Sequence, residues 1–505
     1  MTGARDPGPT GLLDQDPVVH TSAGDIRGRR CADGGAQFLA VPYAAAPTGH
    51  DRFRPPRPHA GWRGVRDAIR PGPTAPQPVR SAFGVLDMSP YFGPGWRRGE
   101  EYLTVDVRIP APDRQPAPVL VFVHGGGFLA GSNAAPLYNG AAFARDGVVL
   151  VTVNYRLGVA GFVSLPDAPD NRGLLDVLAA LRWVSDNAAA FGGDPARVTL
   201  AGQSAGAVLV AGALADPSSG GLIRRAIVQS GSGTAAQTSE QGQLVAQTVA
   251  DALDVAPTAR SLGALTDDRL VEVLPALAGL DLRTATHPAP LGAITPFSLV
   301  LKEQPAAAVA AGRSAGVDLL AGTTSDEAAL YLAPVGLLDG STEADMRAVA
   351  AQFSNRPDDL LAAYRSQHPA ASVAELRTQV LGDGLFGTGT RRLLAAHAPG
   401  PAATYGYTFS WRSDAVDGRL GACHTLELPF VFDCTGLLAL HGPSALLGTA
   451  AVPAGLAGAV HRTWVDFVAT GNPGSVAGPH FRVARVDPGA GPAGPVAAAW
   501  ESAFS

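Results

Sequence analysis

The sequence predicts an α/β chain with a mostly parallel central sheet, flanked by helices and carrying large inserted helical segments. Three observations point there. Short aliphatic runs rich in β-branched residues recur through the middle of the chain, and between them lie stretches whose apolar residues return every three or four positions. The abundant Gly (61) and Pro (42) are scattered between these runs, where turns belong, instead of gathering in blocks. With 505 residues, 46% of them hydrophobic, the chain can bury a large core.

Taken in order, PVLVFVH (118–124) and VVLVTVNY (148–155) have the composition of strands buried on both faces. RGLLDVLAALRWVSDNAAAF (172–191) spaces Leu174, Leu178 and Leu181, with Val177 and Val184 beside them, at the period of an amphipathic helix. RVTLAG (197–202) is the next expected strand and SAGAVLVAGALA (204–215) a helix, and RAIVQS (225–230) and GVDLLAG (316–322) continue the series. Strands alternating with helices imply a largely parallel sheet with helices on both faces. Residues 1–16 read as a disordered polar tail, and VDPGAGPAGPVAAA (486–499) is the other low-complexity piece. No repeat or long linker lies between them, so residues 17–505 are expected to form one domain.

Composition excludes several functions. Charged residues make up 16% of the chain and the formal net charge is −6, so no basic field exists to hold nucleic acid or anionic lipid. Three cysteines, Cys31, Cys423 and Cys434, are too few for a disulfide framework and show no metal-ligand spacing with histidine. Reduced thiols are expected, with a Cys423–Cys434 pairing left open. The opening stretch lacks the apolar core of a signal peptide, and no run reaches the ~18 apolar residues of a membrane span. A cytoplasmic protein without membrane or nucleic-acid partners, monomeric or a small homo-oligomer, is expected.

The stretch VTLAGQSAGAVLV (198–210) surrounds Ser204 with Gly202, Ala205 and Gly206 between an expected strand and an expected helix. This is the arrangement of a nucleophile elbow, in which the serine occupies a strained turn and its hydroxyl projects above the sheet. A glycine-softened turn without chemistry is the alternative. A serine hydroxyl needs a base to take its proton, a carboxylate to orient that base, and donors for the developing oxyanion. HGGGF (124–128) follows the first expected strand, where backbone N–H groups would serve that last purpose; no Lys-Ser or Lys-Thr follows, which disfavours a phosphate loop.

Several stretches together resemble the type B carboxylesterase family, relatives of the cholinesterases and of para-nitrobenzyl esterase within the α/β-hydrolases. They are VPYAAAPTGHDRFRPPRPHAGW (41–62), HGGGFLAGS (124–132), NYRLGVAGF (154–162), NRGLLDVLAALRWVSDNAAAFGGDPARVTLAGQSAGA (171–207), RAIVQSGS (225–232), GTTSDEA (322–328) and HTLELPFVFD (424–433). By matching positions, the resemblance implies an α/β-hydrolase fold with Ser204 as nucleophile, Glu327 as orienting acid and His424 as general base. It also implies that the N–H groups of Gly126, Gly127 and Ala205 form the oxyanion hole, and that Ser230 supports the acid. The residues alone do not choose His424 over His368, His397, His441, His461 or His480, nor Glu327 over the adjacent Asp326. His124 is expected to support its loop.

Departures from the family pattern are informative. The positions of its early disulfide hold Ala75 and Tyr102, Gln203 replaces the glutamate common before the nucleophile, and the choline-binding aromatic site has no match, since Trp96 sits beside two arginines. The expected activity is ester hydrolysis through an acyl-enzyme, without metal or organic cofactor, on a small to medium substrate that is uncharged or weakly charged. Hydrolysis of a carbamate or activated amide on the same triad is the alternative; a catalytically silent scaffold is disfavoured because all three triad positions are filled.

Overall fold

The computed structural model describes residues 16–113, 115–284, 287–291, 294–489 and 494–503. Within them, eleven strands form one sheet: β1 (Arg29–Arg30), β2 (Ala36–Pro42), β3 (Thr104–Ile109), β4 (Ala117–Val123), β5 (Val149–Val153), β6 (Gly193–Gln203), β7 (Arg225–Gln229), β8 (Asp318–Thr324), β9 (Thr404–Phe409), β10 (Val476–Ala477) and β11 (Phe481–Arg485). Their spatial order is β10-β11-β9-β8-β7-β6-β4-β5-β3-β2-β1. The six central strands, β5 to β9 through β4, run parallel, and antiparallel strands extend the sheet on both sides.

The strands form where the aliphatic runs predict them. β5 is buried along its whole length and β4 from Pro118 onward, because helices cover both faces of the sheet. Alternation assigns Val119, Val121 and Val123 to one core and Leu120 and Phe122 to the other. The expected strand 148–155 spans Val149–Val153, and the Asn154 side chain just beyond it accepts from the Asn133 amide. Helix α1 (Arg172–Asn187) buries its leucine face, and the rest of the expected helix tightens into a 3₁₀ turn over Ala188–Phe191 that closes on left-handed Gly192. Helix α2 (Ala205–Ala215) is apolar all round and buried from Ala205 to Leu214, as a helix packed between sheet and neighbouring helices must be.

Inserted helices occupy two crossovers. Ser239–Leu253, Ala259–Gly263, Asp267–Glu272 and Pro305–Ala310 lie between β7 and β8; Glu343–Phe353, Pro357–Gln367, Val373–Gly382 and Thr388–His397 lie between β8 and β9. Three of them start on reciprocal caps, Thr238 with Gln241, Thr342 with Asp345 and Ser372 with Glu375. The carboxyl ends of β4, β6 and β8 run into His124, Ser204 and the turn bearing Glu327, so the residues singled out above gather along one edge of the sheet.

Residues 1–15 of the expected tail lie outside the described residues; Asp16 accepts a hydrogen bond from the Arg30 amide. The low-complexity stretch 486–499 is described except for 490–493, and its end joins helix Pro495–Ala503, which buries Val496 and Trp500. All three cysteines are unpaired. Among the described residues, no helix is long and apolar enough to cross a membrane.

Candidate active site

β6 ends at Gln203, the Ser204 amide donates to the Gln229 carbonyl of β7 at 2.9 Å, and α2 begins at the next residue. Ser204 carries the reversal with φ 57° and ψ −123°, a conformation that a non-glycine residue holds only when its surroundings impose it. Two contacts impose it here. A methyl group on Gly206 would run into the carbonyl oxygen of Val123, and one on Gly202 would meet the Gly206 backbone at 2.5 Å. Strand and helix therefore touch backbone to backbone, and the serine side chain is pushed out over the sheet edge.

The loop after β4 bends through Gly126 (φ 112°) and Gly127 (φ 65°), and a side chain on Gly126 would overlap the Ala130 carbonyl. The N–H groups of Gly126, Gly127 and Ala205 donate to no acceptor among the described residues. From below, His124 Nδ1 pairs with the Gly125 carbonyl at 2.8 Å and its ring stacks on Tyr155 at 4.6 Å, while Tyr155 donates to the His124 carbonyl. Burial lowers the His124 pKa to about 4, so this ring is a neutral prop.

His424 Nδ1 lies 2.6 Å from Glu327 Oε2. The other carboxylate oxygen, Oε1, accepts from the Ser230 hydroxyl at 2.6 Å and from the Thr324 amide at 2.9 Å. A carboxylate only accepts, so Nδ1 carries the proton and Nε2 presents a lone pair. That lone pair faces the Gln203 side-chain amide at 3.2 Å, which the Tyr91 hydroxyl orients by donating to Gln203 Oε1 at 2.8 Å. Ser204, His424 and Glu327 are 6%, 2% and 5% exposed. The Ser204 hydroxyl has no hydrogen-bond partner among the described residues, yet it lines one cavity with His424, Gly126 and Gly127.

Three of the rival residues are engaged elsewhere. Asp326 turns away to Arg412 and the Ala422 amide. His397 is held by Thr404 and the Val317 carbonyl, and His461 by the Val431 carbonyl and Asp146.

Two ring partners of the imidazole lie outside the motifs, and a further buried acid lies near it. The Phe386 ring stacks on His424 with centroids 4.3 Å apart and planes 12° apart, and Tyr331 leans on it at 5.8 Å. Phe386 arrives through a π-helical turn, Asp383–Gly387, that joins two inserted helices; no periodicity in the sequence announces it. Glu427, one turn after His424, is buried with Oε1 accepting from Gln229 at 3.3 Å and Oε2 unpaired, and burial beside Glu327 raises its pKa to about 8. The carboxyl group is thus protonated in a neutral solution.

Comparison with known proteins identifies relatives over nearly the whole chain. Residues 15–488 match the model of the carboxylesterase family. The chain is 34% identical to phenmedipham hydrolase of Pseudarthrobacter oxydans, over 90% of each chain. It is 33% identical to para-nitrobenzyl esterase of Bacillus subtilis, over 91% of each. A crystal structure of a Geobacillus stearothermophilus carboxylesterase superposes with a TM-score of 0.76 at 31% identity, covering 93% of this chain and 97% of that one.

Proposed function

Since the chain belongs to the carboxylesterase family and is a carboxylic ester hydrolase, we propose that it works by two-step acyl transfer with Ser204 as nucleophile, His424 as general base and acid, and Glu327 as the orienting acid. In the first step the Ser204 hydroxyl displaces the Gln203 amide from His424 Nε2, gives up its proton there, and attacks the ester carbonyl. The carbonyl oxygen becomes an oxyanion that accepts from the Gly126, Gly127 and Ala205 amides. The protonated imidazole, held by Glu327, returns its proton to the leaving alcohol. Water then enters, loses a proton to His424, attacks the acyl carbon, and releases the acid and the Ser204 hydroxyl. Ser230 fixes the Glu327 carboxylate throughout.

The observation that carries this reading is the 2.6 Å Glu327–His424 pair opening onto the same cavity as a serine in a strained elbow. Donors free of internal acceptors beside that serine support the oxyanion assignment. A cytoplasmic setting fits three unpaired thiols.

The direct test is labelling with an organophosphorus fluoride, read by intact mass. The native chain is expected to gain one phosphoryl adduct while Ser204→Ala gains none; an unlabelled native chain would sink the mechanism. One relative is named for hydrolysing phenmedipham, a carbamate. A carbamate differs from an ester in the nitrogen on its carbonyl, and the same steps would cleave it. Parallel rates on aryl esters and aryl carbamates separate the two substrate classes.

A further inference from the structure

The cavity that contains Ser204 and His424 is also lined by Arg80. Its guanidinium lies over the Phe83 ring at 4.3 Å and the Phe92 ring at 5.0 Å. Among the described residues it has no carboxylate partner and no hydrogen-bond acceptor. Its electrostatic neighbours are the Tyr331 and Tyr91 phenols, both kept protonated by burial. Burial also lowers the Arg80 pKa from its ordinary value.

Two fully buried arginines of the chain are treated differently. Arg156 is fully buried with two bonds to Asp176 at 2.6 and 2.8 Å and further bonds to backbone carbonyls. Arg172 is buried with its donors spent on the carbonyls of Ala160, Pro169 and Val163. A half-buried guanidinium resting on ring faces keeps its five N–H donors available to a ligand. The two rings beneath it also pack against residues of the site. Phe92, on which it rests, would stand 3.5 Å from a methyl group built on Gly126 of the amide loop, and Phe83 packs edge-on against Tyr331, which leans on His424.

We infer that Arg80 is a specificity-determining residue that binds an ionised carboxylate carried by the ester substrate, so that the preferred substrates are esters bearing a second acid group. The inference rests on the ester hydrolase mechanism proposed above and adds a substrate class to it. It also narrows the expectation of an uncharged or weakly charged substrate to a charged one: overall composition averages over the surface and says nothing of one guanidinium inside the cavity. A bidentate carboxylate fits the planar fork of Arg80, and the apolar ring faces beneath it strengthen that pair by excluding water. The carboxylate belongs either to the acyl group, as in a half-ester of a dicarboxylic acid, or to the alcohol.

The experiment compares kcat/KM within matched pairs. On the acyl side, 4-nitrophenyl hydrogen glutarate is set against 4-nitrophenyl valerate; on the alcohol side, 4-acetoxybenzoate against its methyl ester. Each ratio of charged to neutral substrate is read on one enzyme sample, so it is insensitive to the fraction that folds. The native chain is expected to prefer the charged member of one pair, and the pair that responds identifies the side. That ratio is expected to fall about tenfold or more in Arg80→Gln, to fall less in Arg80→Lys, and to shrink with added salt in the native chain alone. Native and Arg80→Gln ratios that agree on both pairs would overturn the inference and leave Arg80 as part of the cavity wall, with the esterase mechanism intact. Failure of the native chain to cleave any of the four esters, with Ser204 unlabelled, would instead defeat the mechanism on which the inference depends.

Discussion

Glu327 divides its two carboxylate oxygens between different tasks: Oε2 meets the imidazole, and Oε1 takes both the Ser230 hydroxyl and the Thr324 amide. Removing the hydroxyl leaves one donor on Oε1 and lets the carboxylate swing about its Cγ–Cδ bond. In Ser230→Ala, kcat is expected to fall about ten- to a hundredfold, the size of a lost hydrogen bond to a buried charge, while KM stays within about twofold. Steady-state kinetics on a neutral aryl ester decide this, and a rise in KM with kcat unchanged would remove Ser230 from the positioning role. The serine was legible in the sequence only through the family resemblance. Its contact with Glu327 spans 97 residues of chain, which no local pattern encodes.

At the scale of elements, two of the most recognisable stretches turn out to brace the fold. NYRLGVAGF contributes Arg156 and α1 contributes Asp176, and the pair is closed by side-chain bonds at 2.6 and 2.8 Å with neither group exposed. The same arginine reaches the Arg52 and Arg54 carbonyls, so one guanidinium ties the amino-terminal segment, the loop after β5 and helix α1. Asp176→Ala leaves that charge buried and unpaired, and is expected to cost about 3–5 kcal/mol of stability. Chemical denaturation measures it; a loss below about 1 kcal/mol would show that the loop rearranges to solvate Arg156. The helical periodicity of α1 is plain from its leucines, yet the inward Asp176 interrupts that pattern as an acid on the buried face. The π-helical turn that brings Phe386 onto His424 is the opposite case, since nothing local foretells its register.

For the molecule as a whole, pH acts through groups that folding removes from water. Glu427 has a pKa raised from 4.5 to about 8, chiefly by burial and then by Glu327. Between those values the native chain keeps a proton that the unfolded chain has released, so the contribution of Glu427 to stability is greatest below about 4.5 and is lost as pH rises toward 8. Glu427→Gln, which cannot ionise, is expected to gain stability relative to the native chain as pH rises across that window. Denaturation midpoints of both proteins at pH 5 and pH 8 test it, and a constant difference would mean that Glu427 is already ionised in the fold.

The strands β4 to β8 and the elbow between β6 and α2 were written locally, because aliphatic runs, leucine spacing and glycines beside Ser204 each act over a few residues. Those patterns alone, read with the order of the other motifs, determined the sheet, its parallel centre and the serine at its edge. What only the tertiary structure decided is which distant groups gather around that serine: the imidazole 220 positions on with Phe386 beneath it, the Gln203 amide on its free nitrogen, and the Arg80 guanidinium in the wall of the same cavity. Contacts of that span are set by how helices and loops pack around the sheet, a sum over many small burial energies that short stretches of sequence do not carry.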